Sequence, residues 1–176
     1  MFPTQTHDAM FWEQLGRTIA TYGFLERVLG KAIFAFVATQ TCSESELETL
    51  KKQWNEDLPR ALYETLGNLA DIYSEKVSKH EASVVPDVDV LVQKIKAAAK
   101  MRNLLCHASW APPDAGGKSL PFFVNRRIEV NETKIDVTYL RRVQDEVACL
   151  ACDVIDSVIQ MGYQFPGGGG PGEPVW

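Results

Sequence analysis

The chain has 176 residues, 19.7 kDa, 45% apolar and 23% charged residues, a net charge of −5 and a pI near 5.2. These are the proportions of one globular domain able to build its own core, with four cysteines too few for a disulfide scaffold and no apolar run near the ~20 residues of a membrane span. The N-terminus, MFPTQTHDAM, has neither the basic start nor the apolar stretch of a secretion signal, so the expectation is a cytoplasmic protein. Its acidity argues against nonspecific coating of nucleic acid and leaves room for a small basic site.

Residues 1–8 read as a lead, 9–163 as one helical domain and 164–176 as a tail. Asp8 suits the cap of a helix that no proline interrupts before Thr39. Leu15, Ile19, Tyr22, Glu26, Leu29, Ile33 and Phe36, spaced alternately four and three, form a seam of coiled-coil type whose only charge is Glu26. Gly16, Gly23 and Gly30 recur every seven residues and leave room for a second helix, at a cost to this one.

Ser43 with Glu46 fits a capping box, and a second helical stretch reaches about Ser78. Leu47, Leu50, Trp54, Leu58, Leu62, Leu66, Leu69, Ile72 and Tyr73 mark its buried side, and Pro59 kinks or divides it. Glu44, Glu46 and Glu48 sit where the helix dipole favours acids. After a linker, KHEASVVP, a third helix opens at Pro86 or Asp87 and must stop before Pro112-Pro113.

PDAGGKSLP is a loop, and FFVNRRIEV and KIDVTY read as a hairpin turning at Asn131-Glu132-Thr133. Thr138 suits the cap of a last helix running to about Tyr163 on the seam Leu140, Val143, Val147, Leu150, Val154, Val158 and Met161. The tail FPGGGGPGEPVW is expected to be disordered. The fold class expected is all-α: a four- to five-helix antiparallel bundle with a short β-hairpin before the last helix.

The sequence has no GxxxxGKS/T, no GxGxxG between strand and helix and no HExxH. Cys149 and Cys152 have CxxC spacing without a second ligand pair, so they read as buried small residues, and no metal or cofactor is expected. His7 and His80, in a terminus and a linker, read as solvated.

The third helix carries the informative stretch. Lys96, Lys100, Asn103 and His107 fall on one strip of it. Arg102 lies roughly 140° round from His107, on the strip of Val88, Val92, Ile95, Ala99 and Cys106, where a charge must be paired or must reach a site. Glu26 on the first seam has the same need, so the two are expected to meet. One reading is a buried ion pair that fixes helix register, with His107 favoured at a helix C-terminus by the dipole.

Arg102-Asn103-Leu-Leu-Cys-His107 resembles the R-x4-6-H motif of the HEPN superfamily, with its frequent polar residue after the arginine. The family's domains are helical bundles that dimerise, and many are metal-independent ribonucleases of toxin–antitoxin, phage-defence and RNA-processing systems. The resemblance implies a homodimer whose paired third helices join two copies of Arg102, Asn103 and His107 in one cleft. It also implies an RNA substrate and, for a toxin, an antitoxin protein.

The chemistry suits those residue types. RNA supplies its own nucleophile, the 2′-hydroxyl. Histidine as a class titrates near neutrality and can move that proton. Arginine can donate two parallel bonds to a phosphate gaining charge. Asn103 would orient the ring or the phosphate, Glu26 would support Arg102, and Lys96 and Lys100 would add a basic strip for RNA. Arg126 and Arg127 of the hairpin either extend that strip or are simply solvated. Two other readings are a non-catalytic interaction module docking through the glycine face, and a small-molecule-binding bundle, which no residue specifically supports.

Overall fold

Asp8 starts the first helix. Its carboxylate accepts from Met10 N at 2.9 Å and its carbonyl from Phe11 N at 3.1 Å, so first-turn donors that lack an intrahelical acceptor are satisfied. This computed structural model describes residues 6–40, 64–81, 85–124 and 131–175. Among them are four helices: α1 (Ala9–Ala38), α2 (Leu66–Lys79), α3 (Val88–His107) and α4 (Val137–Gln160). Strands β1 (Ser109–Trp110) and β2 (Pro121–Phe122) form an antiparallel hairpin before α4. The expected class, all-α with a short hairpin before the last helix, is the one found. No helix among the described residues is long and apolar enough to cross a membrane.

The Ser43/Glu46 capping box, the acids Glu44, Glu46 and Glu48, the kink at Pro59 and the basics Arg126 and Arg127 lie outside the described residues.

The helix ends are set by short polar side chains. Thr65 caps α2 by accepting from Asn68 N at 3.3 Å. The cap of α4 is Asp136 rather than the expected Thr138: its carboxylate accepts from Tyr139 N at 2.7 Å, which places Thr138 inside the first turn. A carboxylate is also the better match for the positive end of the helix dipole.

The hairpin differs from expectation in its strands. Ser109 pairs with Phe122 and Trp110 with Pro121, so the first strand follows α3 directly and the Pro/Gly loop is its connection. Ile135, from the second β-prone run, bridges Ser119 through reciprocal bonds of 2.9 and 2.8 Å. Asp114 organises the loop: its carboxylate accepts from Gly116 N and Lys118 N at 3.0 Å each and from Lys134 Nζ at 2.8 Å. Those donors hold the Asp114 carboxyl below its usual range, Lys134 contributing most.

The chain divides into two compact units, residues 1–23 with 98–148 and residues 24–97 with 149–176. In the first, the start of α1, the start of α4 and the segment just past α3 come together. Thr18 donates to Gln14 O at 2.7 Å, with Leu140 O at 3.4 Å, and Gln144 Nε2 lies 3.1–3.2 Å from Thr18 Oγ1 and from the Gln14 carbonyl and side-chain oxygens. Trp110 packs edge-on against Phe11 at 5.0 Å. His7, expected in solvent, is buried on the Phe11 ring at 4.7 Å.

In the second unit Leu29, Phe36, Leu69, Tyr73, Ile95 and Val154 are sealed in the core. Tyr73 donates to Ser157 Oγ at 2.8 Å, joining α2 to α4. His80, also expected in solvent, is buried beside Phe36, its Nε2 3.0 Å from Thr39 Oγ1.

The tail is not the disordered end its composition suggested. Residues 164–175 fold back, with Glu173 N donating to Gly162 O and Gln164 N to Glu173 O, both at 2.8 Å. Lys31 Nζ donates to Pro166 O at 2.9 Å, and its charge sits 5.8 Å from the Phe165 ring centre. Cys149 and Cys152 are corrected as well, since both are exposed on α4.

Candidate nucleic-acid interface

The C-terminal turns of α3 are shaped by alternation between core and surface. Leu104 and Leu105 are buried and hold the helix down, while Lys100, Asn103, Cys106 and His107 are exposed. Asn103 and His107 are one turn apart and share a face. His107 is the last residue of α3; Ala108 N still donates to Leu104 O at 2.9 Å, and the chain then enters β1. Buried Trp110 anchors that strand, so the end of α3, and His107 with it, is held by the start of the hairpin.

Arg102, expected to be buried on the strip of Val92, Ile95 and Ala99, is only half-buried, although those three are buried. Cys106, assigned by spacing to the same strip, is exposed. Glu26 is half-buried on α1 and belongs to the other compact unit. Neither Glu26 nor Arg102 is without an interaction partner. The two lysines differ. Lys96 forms an ion pair with Asp71 at 2.5 Å and is half-buried, so part of its charge is already answered; Lys100 is exposed.

Residue spacing did not single out Tyr22 as more than a seam residue. It is sealed in the core of the same unit as His107. Burial, then the nearby Tyr139, Glu146 and Cys106, hold its phenol protonated far above the ordinary tyrosine range. Only its place on the seam signalled this in the sequence. Among the described residues no group of three or more His, Cys, Asp or Glu side chains is placed to hold a metal ion.

Comparison with known protein families, with curated proteins and with solved structures finds no match. The resemblance to HEPN domains therefore rests on the six residues at the end of α3 and on the helical architecture.

Proposed function

We propose that the protein is a metal-independent RNA endonuclease of HEPN type that acts as a homodimer. The observation that carries this reading is the exposure of Asn103 and His107 on one face at the end of α3, with half-buried Arg102 in the same two turns of the helix. His107 takes the proton of the 2′-hydroxyl or supplies one to the leaving oxygen, Arg102 holds the phosphate, and Asn103 orients either group. Exposed Lys100 adds positive charge on the approach to that strip. One chain offers few catalytic groups, so a second copy completes the set. A toxin with this activity would be paired with a neutralising antitoxin protein.

The test incubates purified protein with mixed RNA in EDTA, wild type beside His107→Ala. Cleavage by the wild type alone, leaving 2′,3′-cyclic phosphate ends and sparing DNA of the same sequence, is the expected result. Equal decay with both proteins would mean a contaminating nuclease and would defeat the proposal. The second reading, a non-catalytic interaction module, is favoured by the exposure of Gly16, Gly23 and Phe24 on α1; such a protein is harmless when expressed, and His107→Ala changes nothing.

A further inference from the structure

Phe122 is the most exposed large apolar side chain among the described residues, at 62%. The hairpin fixes its place. Register sets Phe122 opposite Ser109 and Pro121 opposite Trp110. Ala111 N donates to Leu120 O at 3.1 Å, so the alternation of an antiparallel ladder makes Ser109 and Phe122 a hydrogen-bonded pair as well. Pro121, which has no N–H, falls at the position between them that needs none. Buried Trp110 and Pro121 hold one face of the hairpin down, and the opposite face presents exposed Ser109 and Phe122. Reciprocal bonds between Ser119 and Ile135 secure the approach to the strand.

Ser109 is two residues past His107. A hydrogen-bonded antiparallel pair sets its Cα atoms ~5.5 Å apart and an extended chain advances ~3.3 Å per residue, so the Phe122 backbone lies on the order of 10 Å from that of His107. Lys100, Asn103 and His107 are exposed in the same compact unit. Resting on the ribonuclease reading, we propose that Phe122 is a base-stacking residue: its ring holds an unpaired base of the RNA strand whose phosphate lies at His107. Every base offers a flat face to an aromatic ring, so the contact adds affinity without choosing a sequence. Lys100 supplies positive charge, and Asn103 and Ser109 are polar. Such surroundings suit a strand that carries a phosphate beside each base, and not a dry apolar partner. A base paired and stacked inside a duplex has both faces covered, so the ring selects single-stranded segments. The sheet holds the ring in place before the strand arrives, so little ordering is lost on binding.

Fluorescence anisotropy on the full chain tests it, with a short fluorescein-labelled RNA whose 2′-hydroxyls are methylated, so that it lacks the nucleophile and stays intact. Phe122→Ala should weaken binding of the single strand about 5- to 100-fold, the range for one stacked base. Phe122→Tyr should bind as wild type does. Phe122→Leu should behave like Phe122→Ala, because an aliphatic chain keeps apolar bulk and loses the flat face. The same sequence as a duplex should bind more weakly, and none of the three variants should change that binding. Should Phe122→Ala disturb the hairpin, the comparison of Phe122→Leu with Phe122→Tyr still decides, since both keep a large side chain on the strand. Equal single-strand affinity for wild type and Phe122→Leu, a loss on the duplex as large as on the single strand, or no binding by wild type overturns the proposal. Cleavage of unmethylated RNA is scored separately: ring-dependent binding without cleavage defeats the nuclease reading alone, and cleavage with binding indifferent to Phe122 defeats the stacking role alone.

Discussion

Tyr73 donates its hydroxyl to Ser157 Oγ at 2.8 Å, and Ser157 in turn donates to Val154 O at 2.6 Å. The Tyr22 hydroxyl is equally buried and has no hydrogen-bond partner among the described residues. The two Tyr→Phe variants should therefore diverge in chemical denaturation. Tyr73→Phe removes a made bond and leaves the buried Ser157 oxygen without its donor, which costs about 1 kcal/mol. Tyr22→Phe removes an unsatisfied polar group and should be neutral or stabilising. The same residues set the alkaline limit. Burial pushes the Tyr73 phenol up to about 12, against the downward pull of its bond to Ser157, and Asp153 adds to the rise. An unfolded tyrosine ionises near ~10, so above that pH the unfolded chain releases protons that the folded one keeps. Stability should be full below pH ~10 and fall as pH rises toward about 12. Tyr73→Phe should flatten that slope in unfolding midpoints measured across the range.

At the scale of single elements, the caps decide where helices begin. Asp136→Ala should lower the stability of α4 by roughly 0.5–2 kcal/mol, and Thr138→Ala should cost far less, because only Asp136 accepts from the first-turn amide. Thermal melts of the two variants side by side check the assignment. The C-terminal loop makes a similar demand on its backbone. Gly172 has φ 106°, and a Cβ there would sit 2.7 Å from Gly162 O. Gly172→Ala should therefore cost more than ~1 kcal/mol locally and open the loop. Faster proteolysis within residues 164–175, with little change in the global melt, is the expected signature.

At the scale of the whole molecule, the proposed ribonuclease activity predicts RNA cleavage that persists in EDTA. His107→Ala should lower the rate by ~10²–10⁴, the range for loss of a positioned proton-transfer group. Arg102→Lys should also fail, because an ammonium keeps the charge and loses the forked geometry. Lys100→Ala should weaken RNA binding more than Lys96→Ala, since Lys96 is already paired with Asp71. Binding isotherms at two salt concentrations read this directly: a variant that neutralises fewer phosphates releases fewer counterions, so its affinity depends less steeply on salt.

Much of the helical plan could be read from periodicity alone. The α4 seam is buried from Leu140 through Val158, and α1 starts at Asp8 as its residue type suggests. Of the strip that spacing puts on one line, Lys100, Asn103 and His107 are exposed and Lys96 is half-buried. On α1 the seven-residue reading fails in an instructive way. Ile19 is exposed, Glu26 half-buried and Ile33 buried, because a straight helix turns by ~20° per heptad against a strict seven-residue repeat. For Cys149 and Cys152 the seam already placed both away from Leu150 and Val154, and the average burial of cysteine pointed the wrong way. Other features were decided only by distant partners. His7 is buried because Phe11 and Trp12 cover it, and His80 because it reaches Thr39 and Phe36. The glycine-rich tail is ordered by Lys31, 135 positions away from Pro166. Periodicity along a chain reports which residues share a face; whether a polar or flexible residue finds a partner depends on contacts that only the folded chain brings together.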